Sequence, residues 1–232
     1  MNGPKKRVAV VTGGSRGLGL ALTTALVTDG WTVVVDGRDP DDLAAAIAGI
    51  PGPGEAIPVP GDVSDPAHRA RIRHRVAALG RLDVLVNNAS VLGPSPQPAL
   101  MDYPLDVLRT VYEVNVVAPL ALVQTLAPLL TDGAAVVNIT SDAAVEGYEG
   151  WGGYGSSKAA LEQLSQILAA EHPQWRVYWV DPGDMNTRMH QEAFPGEDIS
   201  DRPDPETSVP GVVALITGSL PSGRYQARSV AG

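Results

Sequence analysis

Tyr154 and Lys158 have the residue types and the spacing that proton transfer to an oxygen atom requires. They are four residues apart in a predicted helix, so their side chains lie on one face of it. A tyrosine has an ordinary pKa of about 10, which is too high for proton exchange near neutrality, and a nearby lysine cation lowers that pKa. The pair predicts acid–base chemistry in which Tyr154 transfers the proton and Lys158 adjusts its pKa.

Ser141 and Asn115 complete this candidate catalytic set. Ser141 ends a predicted strand, and its hydroxyl can donate a hydrogen bond to a substrate oxygen. Asn115 falls within a long predicted helix, where it can hold a water that connects Lys158 to solvent. Each of the four residues also has an ordinary explanation, as part of a surface pair, as a helix cap or as a buried amide. Their combination with the turn described next favours the catalytic interpretation.

A glycine-rich turn near the beginning of the chain predicts a dinucleotide-binding site. Segment 12–19 reads Thr-Gly-Gly-Ser-Arg-Gly-Leu-Gly, follows a predicted strand and begins a predicted helix. Glycines permit the tight turn and let backbone N–H groups approach a phosphate, and the helix N-terminus favours the negative pyrophosphate. The spacing is TGxxxGxG instead of GxGxxG, but the strand before it and the helix after it favour a dinucleotide site over an ordinary turn.

The end of the second predicted strand bears on the choice of cofactor. An acidic residue there binds the ribose 2′-hydroxyl of NADH, whereas an arginine accepts the 2′-phosphate of NADPH. Asp36 and Arg38 are both present, and Arg16 lies in the glycine-rich turn. Two guanidinium groups favour NADPH. The alternative, in which Asp36 binds the ribose of NADH and Arg38 is solvated, stays open.

The elements that must position these residues alternate between strands and helices. Short runs rich in Val and Ile, typical of strands buried on both faces, occupy residues 8–11, 32–35, 56–59, 84–86, 135–139 and 177–180, with a last candidate at 224–227. Helical patterns occupy residues 17–28, 66–79, 105–130, 154–171 and 205–217, with a further helix starting at 39–42. This alternation predicts an α/β fold with a doubly wound parallel sheet, about seven strands and helices on both faces. We expect one domain over residues 1–232, in which the aperiodic segment 184–205 is a mobile loop.

Composition excludes several classes of protein. The 232 residues include no cysteine, which rules out a disulfide scaffold, a cysteine nucleophile and a thiolate metal site. The net charge of −9 argues against nucleic-acid binding. The four histidines lack metal-ligand spacing, so we expect no metal. We expect the basic stretch 68–75 to be a solvated helix face and the apolar stretch 114–130 to be a buried helix, not a membrane span. No targeting segment is evident, which predicts a cytoplasmic protein.

Taken in order, these motifs resemble the compact, single-domain branch of the short-chain dehydrogenase/reductase family, over nearly the whole length of the chain. The matching segments are TGGSRGLG at 12–19, Gly-Asp-Val at 61–63, Asn-Asn-Ala-Ser at 87–90, the tetrad of Asn115, Ser141, Tyr154 and Lys158, and Pro-Gly with a following Thr at 182–187. The resemblance implies cofactor contacts at Gly13, Ser15, Arg16, Gly17, Leu18, Gly19, Arg38, Asp62, Val63, Asn88, Ala89, Ser90, Tyr154, Lys158, Pro182, Gly183, Met185 and Thr187.

The resemblance also implies a Rossmann-like sheet with strand order 3-2-1-4-5-6-7. It makes Tyr154 the general acid/base, lets Lys158 also bind the nicotinamide ribose, and makes 184–205 the loop that covers the substrate. It implies homodimers or homotetramers built on helices 105–130 and 154–171. Candidate substrate contacts are Glu146, Tyr148, Glu149, Trp151, Met189, His190 and Phe194. Two departures are Ser90, where the family has Gly, and a brief C-terminal segment at 223–227, which puts the usual tetramer contact in doubt.

The expected function is hydride transfer between NADPH and a carbonyl or secondary alcohol. An NAD-dependent alcohol dehydrogenase is the main alternative. A dinucleotide-binding scaffold without activity is a third, disfavoured because all four residues of the tetrad are present.

Overall fold

Seven parallel strands form one sheet, in the order β3-β2-β1-β4-β5-β6-β7. The computed structural model describes residues 6–230. The strands are β1 (Val8–Val11), β2 (Thr32–Gly37), β3 (Glu55–Pro60), β4 (Leu82–Asn87), β5 (Leu130–Ile139), β6 (Arg176–Asp181) and β7 (Gly223–Gln226). The predicted fold class and strand order are confirmed.

Eight α-helices accompany the strands. They are α1 (Gly17–Thr28), α2 (Pro40–Ile47), α3 (Pro66–Leu79), α4 (Leu105–Tyr112), α5 (Ala118–Leu126), α6 (Gly152–Glu171), α7 (Arg188–Ala193) and α8 (Val209–Thr217), all within residues 6–230. The Asp39 carboxylate caps α2 by accepting hydrogen bonds from the backbone N–H groups of Asp41 and Asp42, so this helix begins where the sequence predicts.

Two apolar cores cover the two faces of the sheet. Along β2, Val33 and Val35 pack into one core with Leu22 of α1, while Val34 packs into the other with Ile72 of α3. Burial on both faces explains why the inner strands are continuous apolar runs and do not alternate with polar residues.

The two edge strands, β3 and β7, depart from the prediction that the strands are buried on both faces. Val59 is the one buried residue of β3, and all four residues of β7 are at least partly exposed. Each edge strand has a neighbour on one side only, and β3 contains two prolines that cannot donate to a ladder. The inner strands alone are therefore buried as predicted.

The predicted helix 105–130 is interrupted. A π-helical turn, Glu113–Val117, separates α4 from α5, and a 3-10 turn, Ala127–Leu129, leads into β5 at Leu130. Pro119 has no N–H to donate to the carbonyl of Asn115, which is four residues earlier, so regular α-helical bonding fails at this point. By length and composition alone, the helical stretch 105–129 is apolar enough to span a membrane, and 44% of its most apolar window is buried inside the protein.

Candidate active site

The glycine-rich turn forms a cradle at the carboxyl end of β1. Gly13 and Gly17 have φ values of +66° and +53°, which favour glycine. A Cβ atom on Gly19 would lie 2.3 Å from the Gly13 carbonyl oxygen, so Gly19 is what lets α1 pack against the turn. The Thr12 hydroxyl accepts hydrogen bonds from the N–H groups of Asn88 and Ala89 at 2.9 and 3.0 Å, which fixes the segment after β4 beside the turn. Among residues 6–230, no side chain caps the start of α1. Its free N–H groups therefore fit a phosphate.

A cleft of about 720 Å³ extends from this cradle along the carboxyl ends of the strands. Most of the expected cofactor residues line it: Gly13, Ser15, Arg16, Gly17, Leu18, Arg38, Asp62, Val63, Asn88, Ala89, Ser90, Tyr154, Lys158, Pro182, Met185 and Thr187. Gly19, which is buried, and Gly183, which is exposed, are not among the lining residues. Gly183 has φ +72°, and its N–H donates to Asp181 Oδ1 at 2.9 Å. Gly183 therefore contributes to the conformation of the Pro-Gly loop.

Asp36 is enclosed beneath the cradle. Its side chain is 2% exposed, Oδ1 accepts a hydrogen bond from the Gly13 N–H at 2.6 Å, and Oδ2 accepts one from His68 Nε2 at 3.1 Å. Arg71 Nη2 lies 3.2 Å from His68 Nδ1, and because an arginine only donates, the imidazole proton belongs on Nε2. Burial raises the pKa of Asp36, and the hydrogen bonds from His68 and Gly13 oppose that rise. Both carboxylate oxygens are therefore engaged within the protein.

The expectation of a solvated basic stretch is therefore wrong at two positions. His68 is fully buried against Asp36, and Arg69 is buried and donates to the Val63 carbonyl at 2.7 Å. Arg71, Arg73 and the other basic residues of α3 are exposed, as expected. The two buried residues face the sheet because they lie on the side of α3 that also carries Ile72 and Val76.

Two arginines and Asp62 form the wall of the cleft near the end of β2. Asp62 Oδ1 accepts hydrogen bonds from the N–H and the hydroxyl of Ser64, at 2.8 and 2.6 Å. Although burial opposes it, these bonds and the charge of Arg38 lower the pKa of Asp62. The Arg16 and Arg38 side chains also line the cleft, so a phosphate at this end would meet positive charge.

Tyr154 and Lys158 are buried side by side on α6. The Lys158 ammonium donates to the Ile139 carbonyl at 2.8 Å and lies 5.4 Å from the centre of the Tyr154 ring. Burial lowers the pKa of Lys158 to about 7. Burial raises the pKa of Tyr154, a hydrogen bond with Ser90 lowers it, and the charges of Asp181 and Asp142 raise it further. The structure therefore differs from the expectation of a lowered tyrosine pKa, because loss of hydration outweighs the hydrogen bond.

The Asn115 side chain is fully engaged in the π-helical turn. Its Oδ1 accepts from the Ser90 hydroxyl at 3.1 Å and from the Val91 N–H at 2.9 Å, and its Nδ2 donates to the Val91 carbonyl and to Ser157 Oγ at 2.9 and 3.0 Å. Ser157 Oγ in turn donates to the Tyr154 carbonyl at 2.6 Å. A relay water at Asn115 would therefore have to use its main-chain carbonyl. Ser90, which replaces the family's glycine, holds this asparagine in place.

Ser141 lies directly after β5 and is tied to its neighbour. Its hydroxyl donates to Asp142 Oδ1 at 2.8 Å and accepts from the Ala143 N–H at 3.2 Å. Among the described residues, those lining the cleft include Thr140 but not Ser141. The structure thus brings Tyr154 and Lys158 to the cleft, with Asn115 behind them and Ser141 at its edge.

An apolar and aromatic wall adjoins Tyr154. The Trp151 ring lies 5.8 Å from the Tyr154 ring and 5.9 Å from that of Phe194, and Met189 packs near Tyr154. Of the expected substrate contacts, Trp151 and Met189 therefore pack beside Tyr154, and Phe194 lies against Trp151. Glu146, Tyr148 and Glu149 are instead exposed on the outside, where the Tyr148 hydroxyl bonds to Asp142 and Glu146.

The segment 184–205 contains a helix that the sequence analysis missed. The six-residue α7 begins after Thr187, whose hydroxyl accepts from the His190 N–H at 3.2 Å. This threonine cap is the signal that predicts such a start. The Ser95 hydroxyl donates to the Glu192 carbonyl at 2.7 Å and joins α7 to the segment after β4.

Comparison with known proteins identifies the family. A family model described as short chain dehydrogenase matches residues 7–198. The chain belongs to this family. It is 36% identical over 194 residues to the rhamnolipids biosynthesis 3-oxoacyl-[acyl-carrier-protein] reductase of Pseudomonas aeruginosa, covering 79% of this chain and 74% of that protein.

Solved structures agree with this assignment. A short chain dehydrogenase from Pseudomonas syringae matches with a TM-score of 0.90 and 31% identity, over 96% of this chain and 95% of the other. One from Shigella flexneri, complexed with NADP, matches with a TM-score of 0.88 and 29% identity, over 96% and 97%. This short-chain dehydrogenase is therefore an NAD(P)-dependent oxidoreductase that acts on a small molecule.

Three charged residues close to the tetrad of this dehydrogenase were absent from the sequence prediction: Glu162, Asp181 and Arg224. Glu162 follows Lys158 by four residues, so the spacing that linked Tyr154 to Lys158 extends to it. Asp181 ends a strand directly before Pro-Gly. Arg224 carries no local signal, because its partners are 43 to 83 residues away in the sequence.

Proposed function

We propose that this short-chain dehydrogenase reduces a carbonyl group with NADPH and that Tyr154 supplies the proton. The observation that carries the proposal is the placement of Tyr154 and Lys158 on one face of α6, in the same cleft as the glycine cradle. A nucleotide held at the cradle and a substrate held at Tyr154 would then share one enclosed space.

The cofactor assignment rests on charge. Arg16 and Arg38 line the cleft, whereas Asp36 has both carboxylate oxygens engaged by Gly13 and His68. A 2′-phosphate is thus favoured over a ribose diol. The related protein from Shigella flexneri was solved with NADP, which agrees with this preference. When bound, NADPH supplies the hydride.

The chain's own residues handle the proton. The raised pKa keeps Tyr154 protonated near neutrality, so its hydroxyl can donate to the carbonyl oxygen as that oxygen becomes a hydroxyl. The tyrosinate left behind is stabilised by the Lys158 cation and regains a proton from solvent through it. Ser141 can donate a hydrogen bond to the same oxygen once its hydroxyl turns away from Asp142. This arrangement favours reduction, which starts from protonated tyrosine.

Replacement of the tyrosine tests the proposal. With a panel of ketones and 3-oxoacyl thioesters, the absorbance of NADPH should fall with the wild type, and Tyr154→Phe should lower kcat by about a thousandfold while still binding NADPH. Tyr178→Phe is the matched control, since this buried tyrosine bonds to the Leu220 carbonyl away from the cleft. Full turnover by Tyr154→Phe would remove Tyr154 from the mechanism.

We also propose a homo-oligomer. Four apolar residues in the segments 105–130 and 154–171, which the resemblance names, are exposed: Leu105, Val117, Leu120 and Ile167. Light scattering should then give two or four times the 24.2 kDa chain mass.

A further inference from the structure

Arg224, in the edge strand β7, contacts α6 and the end of β5, which carry three of the four candidate catalytic groups, and the end of β6, which leads into the cleft. Its Nε donates to Glu162 Oε1 at 3.0 Å, its Nη2 donates to the Ser141 carbonyl at 3.2 Å, and Nη2 lies 3.5 Å from Asp181 Oδ2. Glu162 belongs to α6, Ser141 follows β5, and Asp181 ends β6. One guanidinium group therefore joins a helix and two strand ends.

Glu162 transmits this contact to the tyrosine and the lysine. Tyr154, Lys158 and Glu162 follow one another at four-residue steps along one face of α6. Glu162 Oε1 also accepts a hydrogen bond from the Thr140 hydroxyl at 2.8 Å, directly before Ser141. The contact between Arg224 and Glu162 thus sets the distance between the face of α6 and the end of β5.

Asp181 extends the same network to the loop that lines the cleft. Its Oδ1 accepts the Gly183 N–H at 2.9 Å while its Oδ2 faces Arg224. Pro182, between the two, lines the cleft. A shift of Arg224 would therefore move Ser141, the α6 face and the Pro-Gly loop together.

The network is also a charge balance. The Glu162 and Asp181 side chains are 7% and 6% exposed, and the Arg224 cation beside them is 26% exposed. Buried carboxylates left without a cation are strongly unfavourable. The charged and titratable groups around Tyr154 are Lys158 and Glu162 of α6, Asp181 of β6, Asp142 after β5 and Arg224 of β7. Arg224 is the cation that partners two of these carboxylates.

We propose that Arg224 is a positioning residue for this dehydrogenase: it aligns Ser141 with Tyr154 and Lys158 and offsets the two buried carboxylates behind them. The proposal rests on the proposed function. It assigns a role in the reaction to the last strand of the sheet, which does not itself carry any of the tetrad.

Arg224→Gln and Arg176→Gln form the test. Arg176 is the matched control, because its guanidinium donates to the carbonyls of Gly133, Leu215, Ile216 and Gly218 at the opposite end of the sheet. We expect both variants to lower Tm. Only Arg224→Gln should lower kcat, by about tenfold or more, with the NADPH Kd within about twofold of wild type, because misplacement of reacting groups acts on the chemical step.

The pH profile separates positioning and charge from general loss of structure. Without the Arg224 cation, the carboxylates favour protonated Lys158, so the pH midpoint of kcat should move up by about half a unit to one unit. The double variant Arg224→Gln/Glu162→Gln removes a charge of each sign and should return the midpoint toward the wild-type value. Arg224→Lys keeps the cation and should hold the midpoint while kcat stays lowered, since an ammonium cannot form both directed contacts.

The outcomes are decisive in each direction. Equal kcat and pH midpoint in Arg224→Gln and Arg176→Gln would overturn the positioning role. If Arg224→Gln does not fold, Arg224→Lys decides: wild-type kcat in that variant overturns the proposal as well. Tyr154→Phe in the same assay keeps the questions apart, because turnover retained in that variant contradicts the proposed function and not the role of Arg224.

Discussion

The two halves of the cleft are built differently. On the cofactor side, short side chains that accept from backbone N–H groups join β1, β2 and β4: the Asp36 carboxylate accepts from Gly13, and the Thr12 hydroxyl accepts from Asn88 and Ala89. On the substrate side, β5, β6 and α6 are joined by the charged side chain of Arg224. The cradle is thus held by short side chains paired with nearby backbone N–H groups. The side around Tyr154 depends on one long charged side chain that reaches three elements.

The two halves also differ in charge. The cofactor side presents Arg16 and Arg38 to the cleft, together with Asp62 and with Asp36, whose two oxygens are bonded within the protein. The segments around the substrate side, 142–151 and 184–206, carry only two arginines, Arg188 and Arg202, against ten carboxylates: Asp142, Glu146, Glu149, Asp184, Glu192, Glu197, Asp198, Asp201, Asp204 and Glu206. A cleft edged by one sign of charge attracts ligands of the opposite sign. We therefore expect an anionic cofactor and a substrate that is neutral or cationic.

Loss of the Lys158 cation should have the largest effect on the substrate side. Lys158→Met should lower kcat by about a hundredfold to a thousandfold, the usual contribution of a group that assists proton transfer. In the wild type, kcat for reduction should fall as the pH rises through about 7, because Lys158 loses the charge that stabilises the tyrosinate. Initial rates measured from acid to mildly alkaline pH, at saturating NADPH, give both the loss of kcat in Lys158→Met and the pH dependence of kcat in the wild type. A flat profile in the wild type would contradict the role of Lys158.

The same lysine affects stability. Its pKa in the folded chain is about 7, and its ordinary value is 10.5. Between these values the unfolded chain binds a proton that the folded chain does not, so this group makes the free energy of unfolding rise with pH. In Lys158→Met, this rise should be absent from urea denaturation curves.

On the cofactor side, Arg38→Ala should weaken NADPH binding about tenfold to a hundredfold, as expected for a charge-assisted hydrogen bond to phosphate. NADH binding should not change. Titration of nucleotide fluorescence gives both Kd values, and Arg75→Ala, an exposed arginine on α3, is the control. Equal weakening of NADPH and NADH would show that the arginine does not read the 2′-phosphate.

Replacing His68, which bonds to Asp36 beneath the cradle, should have a smaller effect on nucleotide binding. His68→Leu leaves the buried Asp36 carboxylate without one donor and should cost about 2 kcal/mol of unfolding free energy. NADPH and NADH should weaken in parallel, by about threefold to tenfold, because the Gly13 contact serves the part common to both. His74→Leu on the exposed face of α3 is the control, and His68→Gln, which keeps a donor, should restore much of the loss. An altered NADPH-to-NADH ratio would contradict this assignment.

The difference in charge between the two sides of the cleft should have the smallest effect, on kcat/KM for neutral and anionic substrates. At saturating NADPH and low salt, a neutral ketone should have a kcat/KM about threefold to tenfold above that of its carboxylate-bearing analogue, and about 0.5 M salt should narrow the gap. The double variant Glu146→Gln/Glu149→Gln should also reduce the ratio of kcat/KM between the neutral ketone and the carboxylate-bearing analogue. Preference for the anionic analogue would contradict the electrostatic comparison.

Local patterns account for the parts of this molecule that were predicted. The valine runs of β1 and β2 follow from burial on both faces, and the glycines of segment 12–19 from the close approach of α1. Tyr154 and Lys158 share a face because of helix periodicity alone. Each of these features is set within about ten residues of chain.

The rest depends on contacts between distant segments. His68 reaches Asp36 across 32 residues, and Arg224 reaches Ser141 across 83. A basic stretch looks solvated until the sheet brings a buried carboxylate to it. Pairs of this kind leave no periodic signal. The π-helical turn had a local signal in Pro119, but the engagement of the Asn115 side chain had none, since its bonds go to Val91 and Ser157, outside its own helix.

The hydrogen bonds that pass from Ser90 through Asn115 and Ser157 to the Tyr154 carbonyl cross from one half of the cleft to the other. Each of the three links is a direct hydrogen bond, and in each the donor lies on the side of Ser90 and the acceptor on the side of Tyr154. A nucleotide held against Ala89 and Ser90 would therefore also act on the backbone that carries Tyr154. We expect a consequence for the order of binding, in which the cofactor enters before the substrate.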